Sequence, residues 1–193
     1  MKIAIIKYNA GNIKSVQNAI SRLGYESIIT DNIEEIKKAD KVIFPGVGEA
    51  SSAMIYLKNK GLVDVIKQLK QPVLGICLGL QLLCNSSEEN NTTCLGVFDT
   101  KAKLFSPEEK VPHIGWNNFE SFSGSIFKDV DLKDDVYYVH SFYAETSKET
   151  IATCNYILPF SAAIQKNNFY ATQFHPEKSS EVGEQILKNF LEL

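Results

Sequence analysis

Pro72-Val73-Leu74-Gly75-Ile76-Cys77-Leu78-Gly79-Leu80-Gln81-Leu82-Leu83 joins two hydrophobic patterns at a cysteine. The apolar run after the proline reads as a buried strand, and Leu80, Leu82 and Leu83 read as the start of a helix. Gly75 and Gly79 stand two residues either side of Cys77, as a sharp strand-to-helix turn requires. A β-carbon at either position is expected to strike neighbouring backbone, and glycine also tolerates strained dihedrals. The stretch is therefore a nucleophile elbow carrying sulfur in place of oxygen. A thiol at a helix N-terminus sits in the positive end of the dipole, which favours the reactive thiolate. The Leu78 N–H is expected to face the same point and to stabilise an oxyanion. Taken alone, a cysteine flanked by glycines reads more readily as one more buried, inert residue, so the rest of the chain has to discriminate.

Upstream, the pattern is one of short apolar runs alternating with amphipathic segments. Ile3 to Ile6 reads as a strand covered on both faces. It leads through Tyr8, Asn9, Ala10 and Gly11 to Asn12, a candidate N-cap for a helix reaching about Leu23. Ser27 to Thr30 gives a second strand, Ile33 to Lys38 a short helix and Lys41 to Phe44 a third strand. Ala50 to Leu57 and Leu62 to Leu69 supply two more helices before the elbow. Strands alternating with helices through short loops predict a parallel sheet covered by helices. The third strand ends in Pro45-Gly46-Val47-Gly48, a glycine-rich turn at the carboxyl end of a strand, where open α/β sheets bind ligands.

Downstream the chain becomes strand-rich. Ser86 to Thr93 reads as a polar loop, followed by strands at Leu95 to Phe98, Ala102 to Phe105, Val136 to Val139, Ile151 to Tyr156 and Phe169 to Phe174. Their alternation and spacing predict that part of this half is antiparallel. Glu181 to Leu191 closes the chain as a helix with Val182, Ile186, Leu187 and Phe190 inward. No repeat or linker divides the 193 residues, so one domain over 1–193 is expected.

The formal charge is −3, from 20 lysines and arginines against 23 acidic residues, and the basic residues form no block. That gives nucleic acid and anionic membranes no electrostatic foothold. Cys77, Cys84, Cys94 and Cys154 lack C-x-x-C spacing and a histidine at zinc-ligand spacing, so neither a metal site nor a disulfide framework is implied. The apolar start ends at Lys7, too short for a secretory signal, and no run approaches a membrane span. A reducing, cytoplasmic location is expected.

A cysteine nucleophile needs a base. Among His113, His140 and His175, the last follows a strand in Gln173-Phe174-His175-Pro176-Glu177-Lys178-Ser179, at the sheet edge where Cys77 also emerges. Glu177 can fold back across the proline turn to hold the second imidazole nitrogen. Nucleophile, base and orienting carboxylate are then complete. His113 and His140 fit structural or substrate-shaping roles better than acid-base chemistry.

At these residues the chain resembles the class I, triad-type glutamine amidotransferases. Gly75-Ile76-Cys77-Leu78-Gly79-Leu80-Gln81 and His175-Pro176-Glu177 carry the resemblance. Pro45-Gly46-Val47-Gly48, Pro112-His113-Ile114-Gly115-Trp116-Asn117 and Val139-His140-Ser141-Phe142-Tyr143 narrow it to glutaminase subunits of imidazole glycerol phosphate synthase. The resemblance implies a three-layer, flavodoxin-like α/β fold with a largely parallel sheet and an antiparallel portion in the C-terminal half. It implies glutamine as substrate and no cofactor, with Cys77, His175 and Glu177 catalytic. Gly46, Val47, Gly48 and Leu78 would serve the oxyanion, with Gln81, Ser141, Phe142 and Tyr143 on the substrate. It implies a barrel-shaped cyclase subunit as heterodimer partner, which receives the ammonia and switches on the glutaminase through the Gly46 to Gly48 turn. Asn12, Trp116, Tyr138 and Lys178 are the candidate docking residues, although Trp116 on its own reads equally well as core.

Three departures from the family pattern are expected near the partner surface: Lys7 and Asn9 in the first loop, and Ala171 before the final motif. Two other enzyme readings keep the elbow, namely a paralogue feeding ammonia to sugar amidation and a γ-glutamyl hydrolase. A non-catalytic regulatory subunit is the reading outside enzyme chemistry.

Overall fold

The computed structural model describes residues 1–9 and 11–193; Ala10 of the first loop lies outside them. The first half alternates as the sequence predicts: β1 (Ile3–Ile6), α1 (Ile13–Arg22), β2 (Ser27–Thr30), α2 (Ile33–Lys38), β3 (Lys41–Phe44), α3 (Ala50–Asn59), α4 (Leu62–Gln68), β4 (Val73–Ile76) and α5 (Leu78–Leu83). The second half adds β5 (Ser86–Ser87), β6 (Thr92–Thr93), β7 (Lys101–Leu104), β8 (His113–Asn117) and β9 (Ser121–Phe122). After these come β10 (Val136–His140), β11 (Phe142–Ala144), β12 (Thr150–Tyr156), β13 (Leu158–Lys166), β14 (Phe169–Thr172) and α6 (Ser180–Leu191).

The central sheet has eight strands in the order β2-β1-β3-β4-β14-β13-β12-β9. Its first five strands are parallel, in flavodoxin-like order with β14 as the fifth, and β13, β12 and β9 continue it antiparallel. Alternation along each strand sends side chains to two cores. Ile3, Ile5, Leu74 and Ile76 meet Val16 and Ile20 of α1 and Ile186 and Phe190 of α6 on one face. Ala4, Ile6, Phe44 and Val73 meet Ile36, Leu57, Ile66 and Leu80 from α2 to α5 on the other. Two small sheets, β10 with β8 and β11-β7-β5-β6, stand apart from the central one. Among the described residues, no helix is long and apolar enough to cross a membrane.

The second half departs from the sequence reading in specific ways. Leu95 to Phe98 forms no strand: its N–H groups bond the carbonyls of Leu82, Leu83 and Cys84, satisfying the open C-terminal end of α5. The Ser86 to Thr93 segment, read as loop, contains the β5 and β6 hairpin. β8, β9, β11 and β13 have no counterpart in the sequence pattern, and the strand expected at Phe169 to Phe174 stops at Thr172. Ala171, expected near the partner surface, is fully buried in β14 opposite Gly75. Lys7 and Asn9 are exposed.

Candidate active site

Three parallel strands deliver the site from their carboxyl ends. β3 runs into the Gly46 to Gly48 turn, β4 into Cys77, and β14 through Gln173 into His175. Cys77 adopts φ 51° and ψ −104°, the strained conformation of the elbow, and its N–H donates to Thr172 O at 2.7 Å. The reason for the flanking glycines is narrower than the sequence reading supposed, since neither Gly75 nor Gly79 has positive φ and the strain resides in Cys77 itself. Close approach is what demands them. A Cβ on Gly79 would lie 1.9 Å from Phe44 O, and one on Gly75 would lie 2.8 Å from Leu83 Cδ1 and 3.0 Å from Gly79 C.

The His175 Nδ1 and Glu177 Oε1 atoms are 2.8 Å apart, with both side chains buried. Asn12 Nδ2 donates to the same Glu177 oxygen, so the carboxylate is fixed from α1 as well as from its own turn. Asn12 therefore precedes α1 in a left-handed conformation without capping it through its side chain. Among the described residues, His175 Nε2 has no partner with hydrogen-bond geometry. Burial pulls the imidazole pKa down, but the adjacent Cys77 sulfur and the Glu177 carboxylate outweigh it and raise it to about 10. An imidazole with so high a pKa is protonated at neutral pH.

Cys77 opens onto a cleft of ≈ 240 Å³ lined by Val47, Gly48, Leu78, Gln81, Glu89, Pro112 and the Val139 to Phe142 segment. A larger hollow of ≈ 570 Å³ lies between Met1, Ser27, Ile28 and Lys38, but no cysteine or histidine lines it. Gln81 Nε2 donates to Phe142 O at 2.8 Å and to Gln173 Oε1 at 3.2 Å, and Gln173 Nε2 reaches the Cys77 sulfur at 3.6 Å. Ser141 and Phe142 line the cleft; Tyr143, the next residue in the motif, is instead buried against Phe105 with ring centroids 4.5 Å apart. The Leu78 N–H does not face the cleft freely: it donates to Gly46 O at 3.2 Å. Val47 O in turn accepts from Gly11 N at 3.0 Å, and Gly48 has φ 138°.

Sequence reasoning missed Glu89. It sits in the polar Ser86 to Thr93 stretch, where its Oε2 accepts from Ala50 N at 2.6 Å, and burial pushes its carboxyl pKa up. An acidic residue in a polar loop carries no periodic signal, and only folding of the β5–β6 hairpin brings it to the cleft.

Of the candidate docking residues, the two on strands, Trp116 and Tyr138, separate by strand parity. On β8, Ile114 and Trp116 are each 54% exposed, while His113 is buried. On the paired strand β10 Tyr137 and Val139 face outward, and the Tyr137 ring meets Trp116 edge-on at 5.9 Å and carries the Lys178 ammonium 5.7 Å from its centroid. Tyr138 points the other way and is fully buried against Phe160 and Phe174. It is therefore no docking residue, since adjacent side chains of a strand face opposite sides.

The chain matches the sequence model of the family Glutamine amidotransferase class-I over residues 4–193. The chain belongs to that family. Among its relatives, imidazole glycerol phosphate synthase subunit HisH of Bacteroides fragilis is 59% identical over 196 residues, covering 100% of both chains. The same-named subunit of Bacteroides thetaiotaomicron is 54% identical, also over 100% of both chains. That of Pasteurella multocida is 47% identical over 98% of this chain and 97% of its own. Solved structures share the fold: one described as a glutamine amidotransferase superposes with TM-score 0.77 at 18% identity, over 98% of this chain and 97% of its own. PurLQS from Thermotoga maritima gives 0.76 at 14%, over 99% and 97%.

Proposed function

We propose that this class-I amidotransferase is the glutaminase subunit of an imidazole glycerol phosphate synthase, hydrolysing glutamine and passing ammonia to a cyclase partner in histidine biosynthesis. The observation that carries the reading is the convergence of Cys77, His175 and Glu177 at the carboxyl edge of one sheet, in a chain 59% identical to a HisH subunit.

Cys77 attacks the side-chain amide carbon of glutamine, forming a C–S bond and a tetrahedral oxyanion. The proton held by His175 goes to the amide nitrogen, the C–N bond breaks, and ammonia leaves a glutamyl thioester. Water then gives its proton to His175, attacks the thioester carbon and releases glutamate, returning the sulfur. Glu177 keeps the imidazole in one tautomer and orientation and stabilises its charged form. Glu89 supplies negative charge at the cleft wall where the α-ammonium of glutamine needs a partner, and its raised pKa is relieved by that cation.

The oxyanion requires the Leu78 N–H, which this conformation keeps occupied. With Leu78 N–H on Gly46 O, the Gly46 to Gly48 turn has to rearrange before the intermediate is stabilised. Activation by the partner follows naturally: the outward face of Ile114, Trp116, Tyr137 and Lys178 offers an aromatic and cationic docking surface beside the triad. Ammonia released into water would be lost as ammonium, so delivery needs the partner seated there.

Glutamate release, measured with and without the cyclase subunit of the same organism, tests the reading. Release that rises with the partner and disappears in Cys77→Ala supports it. Release unaffected by the partner, or normal growth of a deletion strain without histidine, overturns it.

A further inference from the structure

His113 and His140 are directly paired across β8 and β10, and the catalytic scheme leaves both without a role. Their hydrogen bonds run in one direction. Phe142 O can only accept, so the His140 Nδ1 atom 2.8 Å from it carries the proton. His140 Nε2 then accepts from His113 Nδ1 at 3.1 Å. The far nitrogen, His113 Nε2, lies 3.5 Å from Asn117 Nδ2, a donor whose orientation is set by Asn155 O and Asn118 N. Burial lowers the imidazole pKa of His113 to about 4 and of His140 to about 3, which keeps one proton per link.

The surroundings leave the rings no freedom. His113 is stacked between Tyr156, at 4.0 Å and 13°, and Tyr138, at 4.9 Å and 23°. His140 packs against Phe105 and Phe160. The end of this chain is the Phe142 carbonyl, and the same oxygen accepts from Gln81 beside Cys77. Two fixed donors on one backbone oxygen define where the cleft wall stands relative to the sulfur.

We propose that His113 and His140 are positioning residues that hold the Phe142 carbonyl in place and thereby set how tightly the cleft grips glutamine. The inference rests on the amidotransferase reading. It assigns the pair to substrate affinity and leaves the reactivity of the sulfur untouched. A pair that merely fills the core would alter stability alone.

The test uses the complex with the cyclase subunit and two reagents read at Cys77 by peptide mass spectrometry. Iodoacetamide reports the sulfur alone; 6-diazo-5-oxonorleucine must first bind as glutamine does. His140→Phe keeps the ring and removes the donor, and is expected to raise the half-saturating concentration of the diazo-ketone about tenfold, the worth of one hydrogen bond. Iodoacetamide should react at the wild-type rate. His140→Asn, whose amide nitrogen can stand in for Nδ1, should restore affinity to within about threefold. His113→Phe reads the same chain one link out, with a smaller rise, and serves if His140→Phe does not fold. Unchanged half-saturation in both phenylalanine variants, or His140→Asn as impaired as His140→Phe, overturns the inference. Wild-type protein that reacts with iodoacetamide but never with the diazo-ketone would remove the amidotransferase reading and this inference with it.

Discussion

Gly79→Ala puts one methyl group where the structure has a backbone carbonyl. The added Cβ would lie 1.9 Å from Phe44 O, against a closest ordinary approach of 3.0 Å, so the two must separate by about 1.1 Å. Neither side yields easily. Phe44 ends β3, hydrogen-bonded between β1 and β4 in the centre of the sheet, and all six residues of α5 are buried. Overpacking against backbone costs about 3 kcal/mol, the upper end of the usual range. The displacement also falls on the strand that presents the Gly46 to Gly48 turn and on the helix that starts at Cys77. A misplacement of about 1 Å there should lower glutamine turnover about 100-fold. Gly75→Ala meets Leu83 Cδ1 first, a side-chain end that can swing, so its loss should be smaller. Gly61→Ala is the control: nothing lies within 4 Å, and its φ of 66° costs only about 1 kcal/mol with turnover unchanged. Urea denaturation and glutamate release in the partnered complex measure both quantities. If Gly79→Ala matched Gly61→Ala in stability and the wild type in turnover, the close-packed elbow would be refuted.

Other perturbations probe separate parts of the account. Trp116→Ala removes an exposed ring, so stability should stay within about 0.5 kcal/mol, while calorimetric affinity for the cyclase subunit should fall by about 2 kcal/mol or more, as for an interface anchor. The depressed pKa values of His113 and His140 make their contribution to stability complete above the unfolded value of about 6.5 and lost as pH falls through about 4 for His113 and about 3 for His140. Urea midpoints should therefore decline more steeply on acidification in the wild type than in His113→Phe. His175 has the opposite sign: its contribution is complete below about 6.5 and is lost as pH rises through about 10. Because the Cys77 sulfur is the main group raising it, Cys77→Ala should shift that alkaline loss to lower pH, which the same midpoints would register.

The strands were legible where both of their faces are buried. Ile3–Ile6, Val42 to Phe44 and Val73–Ile76 are continuous apolar runs because helices cover both sides, and such runs carry their own signal. β8 hid behind Gly115 and Asn117, and β13 behind Pro159 and the polar end of its nine residues, since their pairing depends on distant partners. Leu95 to Phe98 looks like a strand in composition, but its N–H groups are spent on the α5 carbonyls. In the site, Cys77, His175 and Glu177 were readable because turn chemistry fixes their local geometry. Tyr138 was misplaced by one step of strand parity, for adjacent tyrosines give no clue which faces inward. Neither the occupied Leu78 N–H nor Glu89 at the cleft wall can be read from spacing, as both depend on how separate loops close over one another.

Acid quenching of the partnered complex during glutamine turnover, followed by peptide mass spectrometry, looks for the covalent intermediate directly. A glutamyl group should be found on Cys77, accumulating in wild type and absent from Cys77→Ser. Sustained glutamate release from Cys77→Ser, or a glutamyl group on Cys84, Cys94 or Cys154 in its place, would contradict the thioester chemistry assigned to the elbow.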